Sequence, residues 1–428
     1  MDAKLRTQKI QELVDRKKAD PYSSKELKYM GKVRKLPVYE IPVDLLIFNQ
    51  YNGRIGTFVK TYEKQHGTID ATTKEGEALI VDFLWNSKIN RNKETKQNII
   101  DNGQLEFGIV TKDGVVIDGN RRCMLLKKIA EETKNTPTYF KAIILDETLQ
   151  SNPKEIRKLE TMYQMGVDEK VDYNAIEQYL KCSDLSQDFS NEEIAKMMGK
   201  KPSDIKNYLE ILTLMEEYLK VYGYEGMYTR LNEETVEGPF VDLRGYLDIQ
   251  ATGKGIRGRD WQPEKDDIDD LKNIYFDYIR AGFRTAHNIR EIGNPAKGQG
   301  FFNHKRVWQD FVKRYDERIE PINEQEKSLE ELRSERPGEE IEDIIRGRDN
   351  DWKSKVEPSM KENIGRTKRD LEDQKEANSP MELLERAKRT LLSVNTDVNT
   401  FRGQDVREVS RDIRKLAEGF IKIIDKRD

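Results

Sequence analysis

The sequence predicts a mixed α+β protein in which a small α/β unit precedes an all-helical helix-turn-helix region and a long helical C-terminal region. Between residues 36 and 150, short apolar strand patterns alternate with amphipathic helix patterns, an order typical of one layer-packed domain. A helix-turn-helix pattern follows within residues 151–220. From residue 306 to residue 428 the chain is almost entirely charged amphipathic helix.

Composition limits the classes of function. A chain of 428 residues is long enough for two or three domains. Lys plus Arg number 75 and Asp plus Glu 79, so any contact with DNA has to come from a local basic patch. The two cysteines, Cys123 and Cys182, and three widely spaced histidines argue against a disulfide framework and a structural zinc site. No apolar run approaches the length of a membrane span, so we expect a cytoplasmic protein without a membrane partner.

The elements expected in the first 150 residues follow from hydrophobic spacing and helix-ending residues. Residues 1–35 are interpreted as a basic helical leader that Pro21 ends, serving as a packing arm or as a DNA-binding arm. Gly103 is expected to end a helix. After the leader we expect strands at 36–44 and 45–48, helices at 75–86 and 93–101, strands at 106–111 and 115–117, a helix at 121–132 and a strand at 139–145.

A candidate phosphate site lies where the strand Val115–Ile117 turns at Asp118-Gly119 into a helix. The first turn of that helix carries Arg121 and Arg122. Helix starts present unpaired backbone N–H groups and the positive end of the helix dipole. Two guanidinium groups beside them suit a phosphate. Taken alone, the same string fits a hairpin turn followed by a basic helix face equally well.

The helix-turn-helix pattern covers residues 190–209. Ser190 can cap the first helix with Glu193 completing a capping box, and Gly199 permits the tight turn before Pro202 opens the second helix. The residues left outward for a major groove are Lys200, Lys201, Ser203, Lys206 and Asn207. The alternative is a plain αα-hairpin without DNA contact.

Four junctions of this chain resemble the ParB-like branch of the ParB/sulfiredoxin fold. The loop Asn49-Gln50-Tyr51-Asn52-Gly53-Arg54 is similar to an N-P-x-Q-P-R loop, and Gly119-Asn120-Arg121-Arg122 falls on a G-E-R-R motif. Residues 160–164 (ETMYQ) are similar to an E-N-[IL]-Q-R segment, and residues 172–177 (DYNAIE) to D-L-N-P-I-E. The string Asp118–Arg122 is equally close to the D-G-Q-[HR]-R motif of defence proteins on this fold.

The resemblance implies a bound nucleoside triphosphate, CTP or ATP, with Mg²⁺. Arg121 and Arg122 would hold phosphates, Gly119 would let the backbone approach them, and Glu160 would help to place the magnesium ion. The implied nucleotide-binding set is Asn49, Asn52, Arg54, Asp118, Gly119, Asn120, Arg121, Arg122 and Glu160. Asn120 replaces the acidic residue of G-E-R-R and Thr161 replaces the asparagine of E-N-[IL]-Q-R, so hydrolysis is expected to be weak, absent or altered. Asn120 also replaces the cysteine of the sulfiredoxin motif, which argues against that chemistry.

The rest of the chain offers less specific signals. Residues 221–305 are interpreted as a linker and helical region whose basic loop, residues 253–259, matches GxGxxG without the strand-turn-helix context of a dinucleotide site. Residues 266–290 are expected to form a helix. In the last helix an apolar stripe requires a partner, which could be an intramolecular bundle or a dimer contact; it comprises Val406, Val409, Ile413, Leu416, Ala417, Phe420, Ile421 and Ile424.

Together these signals favour a nucleotide-responsive protein that binds double-stranded DNA. The helical region 306–428 is assigned to assembly, as a homo-oligomer such as a dimer, or to a protein partner. The alternative is an NTPase, a CTPase or ATPase, or a nuclease of the same fold acting in anti-phage defence. A structural interaction protein with an inactive nucleotide pocket is the third hypothesis.

Overall fold

A computed structural model describes residues 1–133, 137–167, 174–232, 236–252, 259–284, 289–296, 299–377 and 380–427. The protein is mixed α+β, with one six-stranded sheet in the N-terminal region followed by helices. This confirms the predicted fold class. Among the described helices, none is both long and apolar enough to cross a membrane.

The sheet is mixed, with the strand order β1-β2-β6-β4-β5-β3. Its strands are Ser23–Tyr29 (β1), Lys32–Pro42 (β2), Ile47–Phe48 (β3), Gly108–Thr111 (β4), Val115–Asp118 (β5) and Tyr139–Leu145 (β6). β3 runs parallel to β5, and β4 parallel to β6; the other pairs are antiparallel. Because β3 and β5 are parallel, the chain leaves both of them at the same edge of the sheet. Ligands commonly bind at such carboxyl ends.

Helices cover both faces of this sheet. They are Ala3–Lys17 (α1), Gly56–His66 (α2), Lys74–Ser87 (α3), Ile89–Asn102 (α4), Asn120–Glu132 (α5) and Pro153–Thr161 (α6). One core contains Ile10 of α1, Ile80 of α3 and Met124 of α5, and the opposite core contains Ile109 of β4 and Ile156 of α6. The sheet is therefore buried on both faces.

Two differences from expectation lie in this region. The leader is helical only to Lys17, because residues 23–35 form most of the β1–β2 hairpin. The hairpin turns at Met30-Gly31, where φ is 51° and 74°. Turns of this geometry usually carry Asn or Asp before the Gly, so Met30 gave no sequence signal for this one. Helix α2 was not anticipated, since its β-branched residues have low helix propensity.

The remaining helices form one packed unit with two helices at its C-terminal end. They are Ala175–Ser186 (α7), Asn191–Met198 (α8), Pro202–Val221 (α9), Glu237–Thr252 (α10), Lys265–Arg280 (α11), Arg290–Gly293 (α12), Lys305–Arg318 (α13), Glu320–Glu324 (α14), Leu329–Glu335 (α15), Ile341–Ala377 (α16), Pro380–Leu392 (α17) and Gln404–Ile424 (α18). One core runs from Ile176 to Leu371. It crosses the boundaries expected at 220 and 305, and the segment between them contributes α10, α11 and α12 to this core.

Two further expectations are corrected or left open here. The helix expected over 266–290 ends at Arg280, two residues before Gly282, whose φ is 89°, the left-handed conformation that favours glycine. The glycine-rich residues 253–258 and His287 lie outside the described residues.

Buried charges join α16 to the unit around it. Arg280 Nε donates to Asp349 Oδ1 at 2.8 Å, and its Nη1 donates to Glu326 Oε2 at 2.9 Å. Asp277 accepts from the hydroxyls of Tyr222, at 2.5 Å, and Tyr315. Buried charges are tolerated when they are paired and hydrogen-bonded in this way. Part of the high charge content of the sequence is therefore interior.

Candidate nucleotide site and helix-turn-helix

A cavity of 290 Å³ opens at the edge of the sheet where β3 and β5 end. Its basic side chains come from separate segments: Arg54 follows β3, Arg91 belongs to α4, and Arg121 and Arg122 begin α5. Seven of the nine residues predicted to bind nucleotide line it: Asn52, Arg54, Asp118, Gly119, Asn120, Arg121 and Arg122. Tertiary structure thus brings together the loop and the helix start that the sequence singled out.

The start of α5 presents its backbone to this cavity. Gly119 is the N-cap residue in the left-handed region, with φ 97°, and no side chain of the described residues caps the helix. The first N–H groups of α5 consequently have no intrahelical acceptors. A Cβ on Gly119 would lie 2.8 Å from Phe140 Cζ and 3.1 Å from Arg122 Nη2. Both the conformation and the close packing require glycine here.

Replacing Gly119 by alanine is expected to destabilise the fold by about 2–4 kcal/mol, because strain at positive φ adds to the clash with Phe140. Gly199 provides a matched control, since it also has a positive φ, 65°, but a Cβ there would meet nothing within 4 Å. Gly199→Ala should cost only about 1 kcal/mol. Urea unfolding of both variants measures the difference, and equal losses would contradict the steric argument.

Arg122 has an uncommitted donor at the cavity. Its Nη2 donates to Asp118 Oδ2 at 3.0 Å, whereas its buried Nε has no hydrogen-bond partner in the described part of the chain. A buried guanidinium N–H without an acceptor is costly. An anionic oxygen entering the cavity would supply one, so Arg122 is the side chain that most directly indicates an anion site.

Asn120 makes two hydrogen bonds to the backbone with its side-chain amide. Its Nδ2 donates to Val116 O at 2.9 Å and its Oδ1 accepts from Asn49 N at 3.0 Å. The amide therefore ties β5 to the loop after β3. A carboxylate could accept from Asn49 but could not donate to Val116. The departure from the acidic motif residue thus serves to position the loop beside α5.

Asn49 and Glu160 are the two residues of the predicted nucleotide-binding set that do not line the cavity. Both are buried, and Glu160 Oε2 accepts from Lys181 Nζ at 3.1 Å. Burial raises the pKa of Glu160, an effect that the Lys181 charge opposes. Glu160 thereby joins α6 to α7. Its assignment as a magnesium ligand stays a prediction.

Glu177 of α7 holds the start of α2. Its Oε1 accepts from Thr57 N at 3.1 Å and from Thr57 Oγ1 at 2.6 Å, while Asn232 Nδ2 donates to Thr57 Oγ1 at 2.8 Å. Burial raises the pKa of Glu177 to about 7. The chain segment that carries Asn52 and Arg54 is thus anchored at its far end to the helical unit.

The raised pKa of Glu177 predicts a pH-dependent stability. Between its ordinary value of 4.5 and about 7, the folded protein keeps a proton that the unfolded chain has released, so stability falls as pH rises through that window. We expect the Glu177→Gln variant to gain up to about 3 kcal/mol relative to the parent protein from pH 4.5 to pH 8. Urea unfolding at several pH values measures this. A difference independent of pH would contradict it.

The helix-turn-helix forms as α8 and α9. Ser190 and Glu193 make the reciprocal capping box, and Gly199 occupies the left-handed position between the helices. Ile194 and Ile205 are buried in the small core between them. The predicted DNA-facing residues Lys200, Lys201, Ser203 and Lys206 are exposed, and Asn207 is half-buried.

Sequence reasoning missed part of the cavity wall. Arg91, Thr95 and Asn98 line it from α4, and their spacing of four and three residues places them on one helix face. That polar stripe was a usable signal, although nothing local showed which cavity it faces. Gln164, which also lines the cavity, donates to Ile117 O at 3.1 Å.

A larger groove of 1020 Å³ lies against α3 and α5 but is less suited to an anion. Lys127 Nζ there already donates to Glu77 Oε1 at 2.5 Å and to Leu46 O at 2.9 Å. Lys128 Nζ lies 5.0 Å above the centre of the Trp85 ring. Lys127 and Lys128 are thus engaged by a carboxylate, a carbonyl and an aromatic face.

No protein-family model and no curated protein matches the chain. Among solved structures, it is similar to a Pnob8-like ParB-N domain in its C2221 form at 12% identity and a TM-score of 0.26. That match covers 65% of this chain and 96% of the other chain. The overlap is too loose to align individual residues.

Proposed function

We propose that the protein binds a nucleoside triphosphate, CTP or ATP, at the start of α5 and double-stranded DNA through α8 and α9. The observation that carries the proposal is the convergence of the uncapped helix start with Arg121, Arg122 and Arg54 in one cavity. Backbone N–H groups, a helix dipole and guanidinium groups together form a phosphate site. The resemblance of four motifs to ParB-like segments supports the same assignment.

Direct contacts support coupling between the two binding regions. Asn120 links the start of α5 to Asn49, and the buried Glu160 of α6 pairs with Lys181 of α7. Helix α7 packs against both α8 and α9. A triphosphate that rearranges the cavity wall would change the free energy of these contacts. DNA and nucleotide would then alter each other's affinity by the same factor.

Magnesium belongs to this proposal as a companion of the triphosphate. The described residues contain no cluster of three or more His, Cys, Asp or Glu side chains that could hold a metal by itself. Mg²⁺ normally combines one or two carboxylates with phosphate oxygens and water. The Oε1 of buried Glu160, which accepts no hydrogen bond within the part of the chain that the structure describes, would fit one such contact, and the ion would neutralise phosphate charge when bound.

The nucleotide part is tested by calorimetry with CTP, ATP, GTP and their diphosphates, in Mg²⁺, with and without duplex DNA. We expect one triphosphate to bind more tightly than its diphosphate, and we expect Arg121→Ala to weaken it. If the parent protein binds none of them, the phosphate-site proposal is wrong. Release of inorganic phosphate during the titration would favour the NTPase alternative.

The DNA part is tested by fluorescence anisotropy of duplex DNA across a salt series. Replacing Lys201 and Lys206 by alanine should weaken binding and reduce the salt slope by about 0.9 for each lost phosphate contact. Lys313→Ala is a matched control, since this exposed helix lysine of α13 lies outside the helix-turn-helix. No retention of DNA by the parent protein at low salt would exclude this function.

A further inference from the structure

The final helix α18 presents an apolar seam with heptad spacing. Its members are separated alternately by three and four residues: Val406, Val409, Ile413, Leu416, Phe420 and Ile423. Val409, Leu416, Phe420 and Ile423 are between 47% and 62% exposed. No described segment of the chain therefore covers the seam. The sequence left open an intramolecular bundle or a dimer contact as the partner of this apolar face. The exposure of the seam argues against the intramolecular bundle.

The length and the surroundings of the seam favour a second helix of the same kind. Three heptads are the shortest repeat that predicts a coiled coil, and α18, with 21 residues, is long enough to hold three. Most of the stability of such a helix in a protein comes from packing its amphipathic face. The nearest helix in sequence, α17, does not supply the cover, because its own Met381 and Leu392 are 68% and 76% exposed.

The flanking residues specify the orientation of that second helix. In a heptad lettered a to g, Val406, Ile413 and Phe420 take position a, and Val409, Leu416 and Ile423 take position d. If two copies of α18 pair in antiparallel orientation, residue 406 of one copy packs against 423 of the other, 409 against 420, and 413 against 416. Positions g of the two copies then meet. Asp405 lies opposite Lys426 of the second copy, which belongs to the 3-10 turn Asp425–Arg427 just beyond the end of α18, and by symmetry this pair forms at both ends of the seam.

The two flanking pairs nearest the centre of the antiparallel arrangement are small. Ser410 faces Ala417 of the second copy, and Asp412 faces Gly419, so the helices can approach closely. Parallel pairing would place g opposite e, which sets Asp405 against Ser410 and Asp412 against Ala417. It would form no ion pair. Charge therefore favours the antiparallel arrangement.

We infer that two copies of this protein associate through α18 as an antiparallel coiled coil, a contact independent of the proposed nucleotide and DNA binding. Sedimentation equilibrium of the full chain should give about twice the monomer mass of 50.1 kDa. Leu416→Glu at the central layer should raise the dimer dissociation constant at least 100-fold and leave the circular dichroism melting of the core unchanged. A monomeric parent protein, or a dimer that survives Leu416→Glu, overturns the inference.

A matched control uses another exposed leucine. Leu392→Glu places the same charge on α17, at a side chain even more exposed than Leu416. The dimer should persist in this variant with an unchanged dissociation constant. Dissociation of the Leu392→Glu dimer would show that α17 forms the contact, and would overturn the assignment to α18.

Disulfide trapping tests the orientation. Val409→Cys protein mixed with Phe420→Cys protein should form a covalent dimer under mild oxidation, and neither should do so alone. The opposing Val409 residues are separated by 11 helical positions, about 16 Å, in the antiparallel pair. Self-linking of Val409→Cys alone would show a parallel coil and overturn the orientation. The native Cys123 and Cys182 are buried and give little background.

Charge exchange tests the register. Asp405→Lys and Lys426→Asp should each raise the dimer dissociation constant about threefold or more at low salt, because each sets like charges opposite one another. An equimolar mixture of the two variants should recover the parent affinity, since both ion pairs form in the heterodimer. A mixture as weak as the separate variants would overturn the register.

Discussion

Replacing Arg122 by alanine is expected to weaken triphosphate binding by about 10- to 100-fold. In the parent protein, the buried Nε of Arg122 has no acceptor among the described residues, while its Nη2 donates to Asp118. A phosphate oxygen can therefore accept a charge-assisted hydrogen bond from a guanidinium that is already held in position. Such a bond contributes about 1.5–3 kcal/mol, and about 1.4 kcal/mol corresponds to a tenfold change in affinity. Calorimetry in Mg²⁺ measures the loss.

Two further variants separate the guanidinium from general charge effects. Arg122→Lys should recover only part of the affinity, because an ammonium group cannot reproduce the planar fork. Arg306 is the matched control, since it also lies in the first turn of a helix, α13, and its side chain is 91% exposed. Arg306→Ala should leave binding unchanged. Equal affinities of Arg122→Ala and the parent protein would remove Arg122 from the phosphate site.

Replacing Glu160 by alanine is expected to destabilise the protein by about 3–5 kcal/mol, because it leaves the Lys181 ammonium buried without its partner. The side chains of Lys181 and Glu160 are only 7% and 3% exposed. Removing both charges, as Glu160→Gln with Lys181→Met, should recover most of the loss. Urea unfolding of Glu160→Gln, Lys181→Met and the double variant completes the cycle. Additive losses would show that the two groups do not interact.

The same double variant distinguishes a structural Glu160 from a magnesium ligand. If Glu160 acts only as the partner of Lys181, triphosphate affinity should depend on Mg²⁺ to the same extent in the folded double variant and the parent protein. If Glu160 coordinates the ion, the double variant should lose that dependence although it is stable. Calorimetry with and without Mg²⁺ therefore tests the ligand assignment apart from stability.

Local patterns in the sequence were sufficient for the parts of the fold that rest on neighbouring residues. Gly103 follows the end of α4 with φ 73°, and the capping box of Ser190 and Glu193 forms as expected. Strand β5, the turn at Gly119 and helix α5 also follow the predicted order. Each of these features is determined by backbone preferences and contacts within a few positions. The candidate phosphate site could be predicted for the same reason.

Contacts between distant residues decided the rest. Asn120 bonds Asn49 across 71 positions and Glu177 bonds Thr57 across 120, and neither pairing has a signature in local spacing. Local spacing also did not show that Arg91, Thr95 and Asn98 line the cavity. Nor did it show that the helical core continues across the domain boundaries expected at residues 220 and 305.

The sequence by itself determined the helix start with its two arginines, the helix-turn-helix and the apolar repeat of α18. Only the tertiary structure decided that Asn120 positions a loop, that Glu160 is buried against Lys181, and that the α18 seam is exposed. The physical reason is that hydrophobic spacing specifies which face of an element is apolar, whereas the partner of a face or of a polar group depends on how the elements pack.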